Sequence, residues 1–141
     1  MATTRTASAH WEGSLMEGAG QVTLESSGIG TYDVTWPSRA EEANGRTSPE
    51  ELIAAAHSTC FSMALSHALA QAGNAPTTLD TTAEVTFQPG TGITGIVLKV
   101  VGDVPGLTVE QFQEAAEGAK KGCPVSQALA AVPISLEARL A

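Results

Sequence analysis

Aromatic residues are scarce in this chain of 141 residues, with three Phe, two Trp and one Tyr, so its core has to be light and closely packed from small aliphatic side chains. Basic residues are scarce as well. Seven Lys and Arg stand against fifteen Asp and Glu, a net charge of -8, and that field repels polyanions, which excludes nucleic acid and an anionic membrane as expected partners. No run of ~18 consecutive apolar residues suggests a membrane span, and Met1–Gly13 lacks the apolar stretch of a secretory signal. The expected compartment is cytoplasmic. Only two cysteines occur, Cys60 and Cys123, and in a reducing compartment such a pair points to redox or metal chemistry rather than to a permanent staple. Apolar residues at 43% against 16% charged are the balance of a packed globular protein, and the length fits one domain spanning residues 1–141.

Hydrophobic alternation opens the chain. A strand is expected around Ala7–Glu12, then Val22 and Leu24 alternate with polar neighbours, then Tyr32, Val34 and Trp36, with a turn at Ser26–Gly30, which predicts a three-stranded meander. Pro37–Thr47 has no period, carries charge and contains Asn44-Gly45, so it reads as an exposed loop. Ser48-Pro49-Glu50-Glu51 then supplies an N-cap hydroxyl, a first-turn proline and a reciprocating Glu51, predicting a helix to about Ala72 with Gly73 as its stop. That helix is apolar or small on nearly every side and must be covered on every side, which a domain of this size cannot do alone; a homodimer is inferred. Ala83, Val85 and Phe87, a Pro89–Gly92 turn and Ile96–Val101 form a hairpin. Thr108-Val109-Glu110-Gln111 is a second capping box, opening a helix that buries Phe112, Ala115, Ala116 and Ala119 and ends at Lys120-Lys121-Gly122. Cys123-Pro124 begins a short helix through Leu129, and Ile134, Leu136, Ala138 and Leu140 mark a last strand. This order is α+β.

The two cysteines sit in unlike places. Cys123, at a helix N-terminus, feels unpaired amides that lower a thiol's pKa, whereas Cys60 lies mid-helix among Ala, Phe and Met, where desolvation raises it. Left alone, Cys60 is inert. A nucleophilic Cys60 needs a cation, and the candidates are Arg39 and Arg46 upstream and His57 one turn before it. Other readings of the same residues are two small buried hydrophobes, a structural disulfide, a four-ligand metal site from His57, Cys60, His67 and Cys123, or a Cys–His hydrolase. Zinc ligands normally come in close pairs, and His57-x₂-Cys60 stands alone; the hydrolase lacks an orienting Asn or Asp. His10 and His67 read as ordinary surface or packed histidines.

The words of the sequence carry more than its spacing. Ser48–Ser66 (SPEELIAAAHSTCFSMALS) resembles the active-site helix of the osmotically inducible protein C (OsmC) family, and Gly122–Gln127 (GCPVSQ) resembles its second-cysteine motif. His10–Gly13 (HWEG) and Leu79–Ala83 (LDTTA) resemble its first strand and its post-helix strand, so the likeness spans nearly the whole chain. The related organic hydroperoxide resistance (Ohr) proteins are more distant, since they typically carry Gly-Tyr near the position of His57 and a different tail after the second Cys-Pro.

The resemblance implies an OsmC/Ohr-like intertwined α+β homodimer, with antiparallel sheets packed around long central helices and two active sites at the subunit interface. It implies a thiol-dependent peroxidase acting on organic hydroperoxides in oxidative or osmotic stress defence, with no cofactor and no metal. Cys60 matches the peroxide-attacking cysteine, Cys123 the resolving one, Arg39 the activating arginine and Glu50 the glutamate that holds it, with Arg46 as the alternative cation. A sulfenic acid on Cys60 would condense with Cys123, and a dithiol reductant, lipoyl-type or another thiol, would reset the disulfide. A redox-sensing or thiol-transfer module would use the same pair without turnover, and a ligand-binding dimer would not use it at all. Leu52, Phe61 and Met63 are expected to hold the alkyl or aryl tail of the hydroperoxide. Glu50 and Cys60 are ten residues apart in one helix, ~15 Å along its axis, so Glu50 is expected to serve the site of the other subunit.

Overall fold

In the computed structural model, which describes residues 1–141, the elements run β1 (Ser8–Glu12), β2 (Ala19–Thr23), β3 (Thr31–Val34), α1 (Trp36–Ala40), α2 (Pro49–Gln71), β4 (Thr78–Gln88), β5 (Gly92–Asp103), α3 (Val109–Gly122), α4 (Pro124–Ala128) and β6 (Ile134–Leu140). They form two compact units, Met1–Leu52 and Ile53–Ala141.

The first unit contains the expected meander, antiparallel in the order β1-β2-β3, with His10 opposite Gln21 and Gln21 opposite Asp33. The Thr23 and Thr31 hydroxyls bond across its second ladder at 3.0 Å. One element departs from expectation. The third strand stops at Val34, and Trp36, assigned to it by alternation, begins α1 instead. Thr35 is the cause: its hydroxyl accepts the Ser38 N–H at 3.1 Å while the Ser38 hydroxyl accepts the Thr35 N–H at 3.0 Å, closing a reciprocal capping box. Pro37 fits the first helical turn, where its missing N–H leaves nothing unpaired. Arg39 therefore stands in the last turn of a short helix rather than in an irregular loop. The Ser38 hydroxyl also donates to the Thr47 carbonyl at 3.1 Å, which fastens α1 to the chain entering α2.

At the start of α2 the Ser48 hydroxyl accepts the Glu51 N–H at 3.1 Å, as the sequence predicts. The reciprocal half of that capping box is not made, because the Glu51 carboxylate accepts the Thr47 hydroxyl at 2.5 Å instead. Gly73, at φ 88°, breaks the helix beyond Gln71, using a conformation that glycine adopts without a side-chain clash. Along α2, His57, Phe61, Leu65 and Leu69 follow at four-residue spacing and are all buried, whereas Met63 is 67% exposed. By length and composition α2 is apolar enough to cross a membrane, with a mean hydropathy of 1.3. Its buried line is nonetheless that of a core helix, since Phe61, Leu65 and Leu69 share one cluster with Leu98, Val100 and Phe112.

The second unit holds β4, β5 and β6 as one sheet in that order. The β4–β5 hairpin is longer than its alternation suggests, with Leu79 opposite Gly102 and Phe87 opposite Ile93. β6 pairs with β5 in parallel, with Leu98 opposite Leu136. The sheet is thus mixed rather than wholly antiparallel, because α3 and α4 intervene as a crossover that returns the chain in the same direction. The α3 capping box forms as read, the Thr108 hydroxyl accepting the Gln111 N–H at 3.2 Å and the Gln111 side chain accepting the Thr108 N–H at 3.0 Å.

Phe112 is fully buried and lies against Gly102 of β5, where a Cβ would come within 2.6 Å of its ring. Gly102 is thus what lets α3 close on the sheet. Replacing Gly102 with Ala should cost about 1–3 kcal/mol through overpacking, read as a lower midpoint of thermal or denaturant unfolding; an unchanged midpoint would mean that the ring can move aside freely.

Candidate active site

Two pairs of the residues singled out from sequence are brought together. In the first unit Arg39 and Glu50 form a bidentate pair: the guanidinium Nε donates to Oε1 at 3.0 Å and Nη2 donates to Oε2 at 2.9 Å. The Glu50 carboxylate is almost wholly buried and the arginine about one-third exposed. A buried carboxylate is tolerated only with such a partner, so the last turn of α1 and the first of α2 hold one oriented guanidinium between them. Arg46 is exposed and its side chain makes no such pair. Of the two candidate arginines, Arg39 is the one that Glu50 grips.

In the second unit Cys60 and Cys123 are both free thiols, Cys60 packs against the buried cluster that contains Cys123, and each shifts the other's pKa. Burial pushes the Cys60 thiol up, and neighbouring Cys123 pushes it further, outweighing a backbone N–H from Val125 that acts the other way. Cys123 is fully buried, which by itself raises its pKa, yet the net shift is downward. The Ser126 N–H, the Cys60 thiol, the Ser126 hydroxyl and the Val125 N–H together outweigh desolvation. The two thiols titrate as one coupled pair, shifted in opposite directions by their surroundings. This matches the unlike environments expected of a mid-helix thiol and one at the N-cap of a short helix.

His57, considered as a cation for Cys60, does not fill that role. It is fully buried, and desolvation lowers its pKa, so it is neutral near pH 7. Its Nε2 lies 2.7 Å from the hydroxyl of Ser126, and its Nδ1 has no partner. No group of three His, Cys, Asp or Glu is placed to hold a metal ion, and His10 and His67 are both exposed. Phe61 is likewise reassigned. At 0% exposure it belongs to the core and offers no surface to a substrate tail, whereas Met63 is open to contact. Ser126 was not singled out from sequence. The signal available was its place three residues after Cys123 in Cys-Pro-Val-Ser, in the first turn of the helix that Cys123 starts.

Taken together, the fold and these contacts define an α+β dithiol protein with a separately held arginine–carboxylate pair. The family model for OsmC-like proteins matches residues 42–137, and the chain belongs to that family. It is 47% identical over 126 residues to the peroxiredoxin OsmC of Escherichia coli K12, covering 87% of each chain. To the organic hydroperoxide resistance protein OhrB of Bacillus subtilis 168 it is 30% identical over 112 residues, covering 78% of this chain and 81% of that protein. A solved organic hydroperoxide resistance protein OsmC from Legionella pneumophila superposes with a TM-score of 0.71 at 23% identity over 99% of both chains, which speaks for the fold.

Proposed function

We propose that this protein is a thiol-dependent peroxidase that reduces organic hydroperoxides to alcohols and serves stress defence. The proximity of Cys60 and Cys123 carries the reading, because a sulfenic acid formed on either sulfur would have a second thiol beside it. Two relatives named for peroxiredoxin activity and for organic hydroperoxide resistance support it. In the proposed cycle a Cys60 thiolate attacks one peroxide oxygen, the O–O bond breaks, and the alkoxide takes a proton to leave as alcohol. Cys60 is then a sulfenic acid. Cys123 attacks its sulfur, hydroxide leaves and is protonated to water, and an external dithiol reduces the resulting disulfide while itself becoming one.

The raised Cys60 thiol is the obstacle in this cycle, and a guanidinium is the group suited to remove it. Arg39, aimed by Glu50, is proposed for that role. Since Glu50 stands ~15 Å up the helix axis from Cys60, the pair is proposed to reach the site of a second subunit. Ala55, Ala56, Met63 and Ala70 lie exposed on α2, an apolar surface that a homodimer would cover.

Cys60→Ser should abolish hydroperoxide-dependent oxidation of a dithiol. Cys123→Ser should complete one turnover, accumulate Cys60 sulfenic acid and then over-oxidise. If Cys123→Ser alone blocks the first oxidation, the two roles are reversed.

Mixing Glu50→Ala with Cys60→Ser subunits tests the cross-subunit arrangement, since a mixed dimer then has one site with both defects and one with neither. Recovery of about half the activity per mixed dimer is expected; no recovery after verified exchange rules the arrangement out. An alkyl or aryl hydroperoxide should exceed hydrogen peroxide in kcat/KM by about two powers of ten, since ~100 Å² of buried tail is worth ~2.5 kcal/mol. Equal efficiencies would show that no tail is bound.

A further inference from the structure

Glu50 aims Arg39 from the α2 side, and the other half of that geometry is set within α1. This helix is only five residues long, Trp36–Ala40, too short to persist by propensity, so its position has to come from caps and from ties to its neighbours. The one buried residue in it is Ser38, at 8% exposure, directly before Arg39. A buried hydroxyl costs stability unless it is bonded, and Ser38 is bonded both as acceptor and as donor. Its oxygen accepts the Thr35 N–H at 3.0 Å, and its single hydrogen faces two carbonyls, that of Thr35 at 2.9 Å and that of Thr47 at 3.1 Å. The Arg39 N–H meets the same Thr35 carbonyl at 3.3 Å.

Thr47 is fixed from three directions. Its N–H donates to the Asp33 carbonyl of β3 at 3.0 Å, its carbonyl accepts the Ser38 hydroxyl, and its own hydroxyl donates to the Glu51 carboxylate at 2.5 Å. Between α1 and Thr47 runs an exposed loop, Glu41–Arg46, and the Ser38–Thr47 bond closes its base. Glu50 follows in the first turn of α2, where its carboxylate takes Arg39 through both Nε and Nη2. A planar fork of that kind tolerates little rotation, so the separation of α1 from the start of α2 has to be held.

We propose that Ser38 is a positioning residue for Arg39: its hydroxyl, bonded to the Thr47 carbonyl, holds α1 against the start of α2 at the separation where the guanidinium and the Glu50 carboxylate meet as a bidentate pair. The proposal deepens the reading of Arg39 as the group that ionises Cys60 and rests on it for its purpose. Alanine at position 38 keeps α1, being the better helix former, and removes only the tie. Arg39 would then turn with α1 and spend less time on Glu50. A serine that merely stabilised α1 would change the unfolding midpoint and nothing at the guanidinium.

The first arm of the test needs no peroxide. Nitrogen-15 NMR of full-length, arginine-labelled protein follows hydrogen exchange at Arg39 Nε, the atom that donates to Glu50 Oε1 at 3.0 Å. Ser38→Ala should speed that exchange about tenfold, the effect of losing one buried hydrogen bond, and Ser38→Thr, which keeps the hydroxyl, should restore it. Unchanged exchange in folded Ser38→Ala protein overturns the proposal, whatever the substitution does to stability. The second arm reads the first oxidation of Cys60 by one equivalent of alkyl hydroperoxide across pH. Ser38→Ala should slow it about tenfold near neutral pH and move the rising limb of the profile to higher pH, since a thiolate with less cationic support forms later. Added to Arg39→Ala, Ser38→Ala should cost nothing further; an additional loss in the double variant would show that Ser38 acts by another route and would overturn the proposal. An unsubstituted chain that fails to oxidise, or an Arg39→Ala chain that oxidises at the normal rate, would count against the proposed function instead, and the exchange arm would still decide whether Ser38 holds Arg39.

Discussion

The approach of Cys60 to Cys123 within one buried cluster is the constraint on which the chemistry of the second unit depends. Two thiols distant in sequence can influence each other only if α2 and the corner between α3 and α4 are held in fixed register. The packing supplies that register. Phe61 and Leu65 follow Cys60 into the cluster that also contains Phe112, Ala116, Ala119 and Cys123 itself. Small residues dominate the contacting part of α3, and Phe112 closes on the bare backbone of Gly102. A core with few aromatics achieves close approach, and close approach is what a pair of sulfurs requires.

The same packing creates the chemical asymmetry of the pair. Desolvation acts on both thiols, but Cys60 projects from the middle of a helix whose amides are already paired, while Cys123 precedes amides that are not. The Cys123 thiol is thereby shifted down and the Cys60 thiol up. The arginine–carboxylate pair is built separately, on α1 and the first turn of α2, with a bidentate geometry that costs a buried carboxylate. Under the proposed function, that oriented guanidinium is the group assigned to ionise Cys60.

Local rules made much of the fold legible. The meander, the hairpin, the helix starts at Ser48 and Thr108 and the stop at Gly73 all follow from alternation, capping residues and glycine. Where local rules failed, a competing local partner or a distant one had intervened. Trp36 fits a strand by alternation, but Thr35 and Ser38 cap each other, and serine at the third helical position is a weaker sign than glutamate. Glu51 turns to Thr47 rather than back to the Ser48 N–H. The parallel pairing of β6 depends on the route taken by α3 and α4, which no window around β6 reveals. At the site, Cys60, Cys123, Arg39 and Glu50 were readable through resemblance to the family, and Arg39 and Glu50 are found paired. The bond from His57 to Ser126 was not readable, because it joins residues far apart in the chain and neither lies in a recognisable spacing with the other.

The most direct test of the account is chemical. The fully reduced protein would be treated with one equivalent of an alkyl hydroperoxide, quenched by alkylation, digested without reductant and analysed by peptide mass spectrometry. The account predicts a single dominant product, the Cys60 peptide joined to the Cys123 peptide through a disulfide. Cys60 recovered as sulfinic acid beside an alkylated Cys123, or both cysteines recovered unoxidised, would contradict it.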